Sequence, residues 1–573
     1  MILLGAFSGS HDASAALFDD YRMIAAVAQE RLTRIKADGG RFPDEGVDEV
    51  LAITGLARRD VDVVALGRGP FPASWYRHLH GLRGLEARTR ETLGRAKPKS
   101  MERELARLGH ADSASIFDAP RFLADACFRP DCAVRFFNHH QAHALPTLFH
   151  TDWDDALLYT ADGGGDNVQW SARIFRDGRL TTMWGGDEAF ARASAIDSLG
   201  LAYGFATEAL GFRMNRHEGK VTGLAAFGEP TVADRLATRF RVADDGQITS
   251  DFASNEDMRA FVFALAREAS REDLSASIQH VLEEKILAAV RRLLERHGVR
   301  RLGLSGGVFA NVRLNQRLAE ETPVGEVFVY PAMSDAGLPA GGILQVLLER
   351  DGIEPWLDRR YALDHLYYGR DHGDRADAVF RSTPGLARIA DDPVDAVPRL
   401  LVEGKAVGLF TLGAEYGPRA LGARSILAAP TDSRINDALN RRLARSEFMP
   451  FAPVIAAADA EEVFDLPAAS RLAARFMTVT CRVRERWRDR IPAAVHVDGT
   501  ARPQLIERAP NPLYFDILAR YKQLTGVPVL INTSFNVHEE PIVNAPDEAA
   551  RALLDDRVDA VATAGGVWAR GRR

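Results

Sequence analysis

Three of the chain's fifteen histidines fall within five positions, in the stretch FFNHHQAHA from Phe136 to Ala144. If a helix begins near Asn138, His139 and His143 lie one turn apart on a single face, the spacing with which two imidazoles share a metal ion. His140 then points elsewhere. A helix start that is merely rich in histidine would look the same, so the metal reading depends on carboxylates that can converge on it. Asp162 in ADGGG and Asp335 in MSDAG each end a strand-like run in a Gly-rich turn, at the edge where open α/β sheets bind ligands. Two imidazoles with one or two carboxylates suit divalent iron or zinc, which ligand types do not separate. Taken singly, either aspartate reads first as a turn or helix-cap residue, and its recurrence with HHQAH is what favours the metal.

Three Gly-rich turns point to phosphate: SGSHDAS at 8–14, DGGG at 162–165 and SGGVFAN at 305–311. The last opens a helix, whose first N–H groups and dipole favour an anion. There is neither a Walker sequence nor a strand-positioned G-x-G-x-x-G, so neither a P-loop nor a classical dinucleotide fold is supported. His11, beside Asp12, has the type and neighbour of a general base; a loop histidine bonded to backbone is the alternative. A second anion-binding set comes later: Arg419 and Arg424 in TLGAEYGPRALGARS, Arg502 in DGTARPQ, and Asn532, Ser534 and Asn536 in INTSFN. Guanidinium forks in Gly/Pro-rich, weakly charged strings suit small anions and phosphates.

The elements that must position these residues are legible in part. Met1 to Phe7, Ala15 to Phe18 and Met23 to Ala28 read as a strand hairpin and third strand around SGSHDAS. A related pattern returns at Ala156 to Tyr159, ADGGGD and Gln169 to Phe175. Residues 71–127 read as an Arg-rich helical insertion with a linker around Lys97 to Lys99. Apolar residues from Ile278 to Leu293 keep a helical period over Ser277 to His297, with Gly298 as the stop. A strand over Glu326 to Tyr330 precedes the second aspartate, and residues 351–375 suit a boundary. Beyond it, strands are expected at Ala406 to Phe410, Pro453 to Ala457, Phe476 to Thr480, Val527 to Ile531 and Asp559 to Thr563, with a helix over Asp547 to Leu554.

The 573 residues are 46% hydrophobic and 26% charged, enough for two domains with their own cores. Three cysteines make no disulfide framework, and no leader precedes the first strand, so a cytoplasmic location is expected. No run is long enough to cross a bilayer, and a net charge of -7 argues against a nucleic-acid partner.

The strings HDASAALF, QERLTR, HHQAHA, DGGGD, EGKVTGLAAFG, SGGVFANVRLN, GPRALGARSIL, MPFAPVI, DGTARPQ and INTSFN occur in this order over nearly the whole chain. Together they resemble the O-carbamoyltransferases of nodulation and antibiotic biosynthesis (NodU/CmcH type). The resemblance implies an α/β protein of two domains. An ASKHA-fold domain, about 1–360, is shared with the transferase that makes threonylcarbamoyl-adenosine in tRNA; a YrdC-like domain spans about 375–573. It implies that carbamoyl phosphate and ATP, as Mg-ATP, become carbamoyl-adenylate in the second domain. The carbamoyl group then passes to a hydroxyl of a small-molecule acceptor in the first. A homodimer is left open.

By the same resemblance His139, His143, Asp162 and Asp335 hold a metal, iron with zinc as the alternative, and His11 with Asp12 serves catalysis. Gly163, Gly164, Lys220, Ser305, Gly306, Gly307 and Asn311 bind the nucleotide. Arg419, Arg424, Arg445, Arg502, Asn532, Ser534 and Asn536 bind carbamoyl phosphate and ATP. One departure concerns LARSEFMPFAP, where the family's Lys position falls on Leu443 and its last Arg on Met449. Arg441, Arg442 and Arg445 are the candidates to restore the charge. Other functions in view are an ASKHA sugar kinase or ATPase, a tRNA threonylcarbamoyl transferase, and an inactive binding module.

Overall fold

The structure is a computed structural model and describes residues 1–77, 79, 98–192, 196–445 and 450–571. Strands β1 (Ile2–Ser8), β2 (Ala13–Asp19), β3 (Arg22–Ala28), β4 (Val63–Leu66) and β5 (Ala133–Phe136) form one sheet in the order β3-β2-β1-β4-β5. Helix α1 (His139–Phe149) follows. A second sheet has β6 (Asp155–Gly165), β7 (Val168–Arg176), β8 (Arg179–Trp184), β9 (Arg301–Ser305) and β10 (Glu326–Val329), in the order β8-β7-β6-β9-β10. In each sheet the first strand pairs antiparallel with the second and parallel with the fourth. The related hairpins in the sequence are thus the first two strands of one sheet built twice. This doubled sheet agrees with the ASKHA fold expected here.

Helix α2 (Arg271–His297) covers the second sheet, its Ile278, Val281, Leu282 and Ile286 packing in one core with Leu157, Tyr159, Leu302 and Leu304. Its end at Gly298 has φ 62°, the left-handed stop that the sequence foreshadows. Helices α3 (Val312–Glu321) and α4 (Leu338–Asp351) follow β9 and β10. The small residues of PAGG have a packing reason. A Cβ on Gly341 would lie 1.7 Å from the Ala142 carbonyl oxygen, and one on Gly342 2.1 Å from the Phe137 ring. Helices α1 and α4 therefore meet backbone to backbone, which brings Asp335 beside the histidines.

The later part is built on an eight-stranded sheet, with a separate three-stranded sheet of Phe464–Asp465, Cys481–Val483 and Thr500–Ala501. The strands of the larger sheet are β11 (Leu386–Ala390), β12 (Val407–Phe410), β13 (Arg424–Ala428), β14 (Ala452–Ala456), β15 (Gln504–Ile506), β16 (Val529–Ser534), β17 (Ala560–Thr563) and β18 (Gly566–Arg570). Their order is β11-β18-β17-β12-β13-β16-β14-β15. Three sequence readings need correction. ADGGG is not a turn: β6 runs to Gly165, with a register break between Ala161 and Gly165. Phe476–Thr480 forms no strand. Met477 takes φ 57°, and the Thr478 and Thr480 hydroxyls donate to the Ala473 and Val312 carbonyls. Residues 351–375 contain a helix, Ile353–Asp358, before the extended connection. Of the insertion, 80–97, including Lys97, lie outside the described residues, as does Met449. Among the described residues no helix is long and apolar enough to cross a membrane.

Candidate active site

Helix α1 starts where the sequence places it, capped by Asn138, whose side chain accepts from Gln141 N. The one-turn spacing sets the His139 and His143 rings 4.8 Å apart. The break in β6 turns Asp162 toward them, its Oδ2 accepting from Gly307 N at 3.0 Å. Asp335 arrives from the short 3-10 turn Asp335–Gly337 that leads into α4. His143 Nε2 then stands 3.3 Å from Asp162 Oδ2 and 3.5 Å from Asp335 Oδ1, and His139 Nε2 3.6 Å from the same Asp335 oxygen. Donors about 2.1 Å from a four-coordinate ion stand about 3.4 Å from one another. His139 Nε2, His143 Nε2 and Asp335 Oδ1 are buried without hydrogen-bond partners, and the four donors lie within 4.8 Å of one another. Buried polar atoms left bare and convergent are what a cation site requires. His140 belongs elsewhere, with Nδ1 2.7 Å from Thr160 Oγ1 and Nε2 3.2 Å from the Val168 carbonyl.

Charge is balanced inside the cluster. Burial opposes protonation of His143, but the adjacent Asp162 and Asp335 carboxylates prevail and raise its pKa to about 9. Burial likewise opposes ionisation of Asp162, yet His143, His139 and Gly307 N hold its carboxyl well below the usual range. His11 stands at the rim with Nδ1 3.5 Å from Asp12 Oδ2. Burial disfavours its charged form; Asp12, Asp335 and Asp162 reverse that and raise its pKa to about 9.

A second constellation lines a cavity of about 310 Å³ between the doubled sheets and the eight-stranded sheet. Arg419, Arg445, Arg502, Asn532, Ser534 and Asn536 face it from the later part, and Lys36, Arg216 and Lys220 from the earlier part. Six cations in one cavity, against the two carboxylates Glu539 and Glu540, favour an anionic ligand. Arg445 is fixed there by Thr533 Oγ1 at 2.8 Å, Ser534 Oγ at 3.1 Å and Asn536 Oδ1 at 2.7 Å.

The family description "Carbamoyltransferase N-terminus" matches residues 3–344, and "Carbamoyltransferase C-terminus" matches residues 398–570. The chain belongs to the carbamoyltransferase family. It is similar to nodulation protein NolNO of Sinorhizobium fredii, 32% identical over 563 residues, covering 96% of this chain and 77% of that protein. It is also similar to nodulation protein NolO of Bradyrhizobium diazoefficiens, 33% identical over 438 residues, covering 74% of this chain and 77% of that protein. Among solved structures, (R)-2-hydroxyglutaryl-CoA dehydratase component A of Acidaminococcus fermentans aligns with a TM-score of 0.34 at 14% identity, covering 61% of this chain and 98% of that one.

The chain is thus a carbamoyl-transferring enzyme, and its geometry sorts the candidate residues. In this carbamoyltransferase Gly163 and Gly164 leave bare backbone beside Asp162: a Cβ on Gly163 meets nothing within 4 Å. Gly307 closes on the same aspartate, and Gly306, at φ 102°, on the Ala161 backbone before it. Ser305 Oγ lies 3.3 Å from His143 Nδ1 and so braces a histidine. Asn311 caps α3 through Leu314 N and donates to Gln279, which occupies its amide and turns it from the cleft.

Lys220 falls in the second cavity, its Nζ 3.3 Å from His538 Nε2, and not at the Asp162 turn. Arg424 is fully buried outside both constellations, donating to the Thr411 and Leu412 carbonyls over the Phe410 ring, so its role is structural. Leu443 is a core residue, Arg442 pairs with Asp559, and Arg445 is the cation of that stretch that reaches the cavity. Sequence reasoning missed Arg68, Asp166 and His496, because each depends on chain segments far apart. A buried Arg in the loop GRGPF carries no motif, and His496 stands two residues before a motif read only for its arginine.

Proposed function

We propose that the protein is an ATP-dependent O-carbamoyltransferase with two stations. The later part, read as a YrdC-like domain, converts carbamoyl phosphate, ATP and water to carbamoyl-adenylate, phosphate and pyrophosphate in the cation-lined cavity. The His/Asp cluster then serves transfer of the carbamoyl group to a hydroxyl of a small-molecule acceptor. The observation that carries this reading is the pairing, in one carbamoyltransferase chain, of a four-donor cluster with bare buried atoms and a separate cavity lined by six cations.

A divalent iron or zinc at His139, His143, Asp162 and Asp335 would supply Lewis-acid stabilisation of charge developing on the leaving phosphate. The residues around it divide the remaining work. Bare backbone at Gly163 and Gly164 admits the nucleotide phosphate beside the cluster. His11, oriented by Asp12, takes the proton of the attacking hydroxyl. To do so it must first be neutral; of the carboxylates that keep it protonated, Asp12, Asp335 and Asp162, the last two are those whose charge a cation would offset. In the cavity Arg419, Arg445, Arg502 and Lys220 gather the anionic substrates.

Incubation with ATP and carbamoyl phosphate, without acceptor, tests the reading. Carbamoyl-adenylate, or AMP with pyrophosphate, supports it; ADP as the sole nucleotide product rejects it in favour of a kinase.

A further inference from the structure

The cation-lined cavity also contains two hydrogen-bond acceptors that phosphate cannot use. His496 is 8% exposed and lines the cavity, and its Nε2 has no partner. Its ring is set from behind: Nδ1 is 3.2 Å from Asp498 Oδ1, which also accepts from Thr500 N at 3.0 Å and Thr500 Oγ1 at 2.6 Å. The turn holding both is closed by His496 N donating to the Thr500 carbonyl at 2.8 Å and Gly499 N to the His496 carbonyl at 2.9 Å. Burial works against an ionised Asp498, but the bonds from His496 and Thr500 hold its carboxyl well below the usual range. An ionised carboxylate only accepts, so Nδ1 faces Asp498 with its proton, and Nε2, bare on the cavity wall, is the ring's acceptor position.

Asn532, 1% exposed, shows the same polarity. Its Nδ2 donates to the Ala420 carbonyl at 3.1 Å and to Gln504 Oε1 at 2.7 Å, and Tyr514 donates to the same Gln504 oxygen. That network fixes the amide orientation and leaves Oδ1 buried, unpartnered and on the cavity wall. Acceptors among guanidinium groups have one natural complement in a carbamoyl donor. The phosphate answers the arginines, and the amino group, a donor of two hydrogens, answers the acceptors.

We propose that His496 Nε2 and Asn532 Oδ1 read the amino group of the carbamoyl donor and so distinguish carbamoyl phosphate from acetyl phosphate, in which a methyl group takes its place. This rests on the reading of the cavity as the carbamoyl phosphate site. Sites that leave buried polar groups unpaired reject analogues strongly, here about tenfold or more per acceptor.

The test is the ratio of dissociation constants for acetyl and carbamoyl phosphate in the full chain, with inorganic phosphate as a reference ligand. Wild type should prefer carbamoyl phosphate at least about tenfold. His496→Leu should lower the ratio about tenfold while phosphate affinity stays within about twofold. Asp498→Asn, which keeps the ring but releases its tautomer, should lower the ratio as well. Undiminished preference in both variants overturns the proposal alone. Failure of the wild type to bind carbamoyl phosphate overturns it together with the reading on which it rests.

Discussion

Arg68 Nη1 lies 2.6 Å from Asp166 Oδ2, the same oxygen that accepts from the backbone N–H of His139 at 2.8 Å. The guanidinium also grips Asp187 at 2.7 and 2.8 Å, and Asp187 accepts from the side chain of Asn138, the cap of α1. One buried arginine thus ties two aspartates to the first turn of the helix that carries both histidines. Arg68→Met leaves Asp166 buried without its cation, a loss of about 3–5 kcal/mol. The expected outcome is a lower unfolding midpoint and reduced metal stoichiometry, measured by calorimetry and elemental analysis.

Gly165 packs against the face of His139. A Cβ there would sit 2.4 Å from its Cγ, so Gly165→Ala has to displace the ring. Metal affinity should fall at least about tenfold, the cost of a first-coordination ligand moved by even a fraction of an ångström. Phosphate affinity in the distant cavity should be unchanged, and equilibrium titration of both ligands separates the effects.

Arg445 is the cation that Ser534 and Asn536 orient toward the cavity. Arg445→Ala removes a charge-assisted contact of about 1.5–3 kcal/mol. The Michaelis constant for carbamoyl phosphate should rise about ten- to a hundredfold, with metal content unaffected. Arg424→Ala should act on stability instead, since Arg424 satisfies carbonyls in the core.

His150 is buried against Tyr330 and Tyr361, far in function from either station. Burial lowers its pKa to about 4, although the Tyr361 carbonyl favours the charged ring. The unfolded chain therefore binds a proton that the native state refuses as pH falls from about 6.5 toward 4, and stability declines over that window by up to about 3 kcal/mol. Denaturant titrations across this range should show a flatter pH dependence for His150→Phe than for wild type.

How much of this was legible in sequence depended on how local each determinant is. The His139/His143 face follows from a one-turn spacing and a cap, both within six residues, and the doubled hairpins follow from repeated Gly-rich strings. Asp162 was found for a reason that failed in detail: DGGG reads as a turn, but the flanking residues continue the ladder and a register break presents the side chain. Lys220 lies in the cation-lined cavity and not beside Asp162, and EGKVTG says nothing of which sheet its helix will face. Arg424 was misread because a guanidinium in a Gly-rich string looks the same whether it meets a ligand or the carbonyls of its own fold. Phe476–Thr480 had a strand's composition, while its hydrogen-bond partners on α3 lay more than 150 residues away.

The division of labour between the two stations is the central claim, and one comparison tests it directly. Wild type and the His139→Ala/His143→Ala variant are each given ATP, carbamoyl phosphate and a hydroxylated acceptor, and carbamoyl-adenylate and carbamoylated acceptor are quantified by mass spectrometry. The account predicts that the variant forms the adenylate at an undiminished rate and accumulates it without product. Loss of adenylate formation in a variant that still binds phosphate, or unimpaired transfer with the histidines removed, would contradict it.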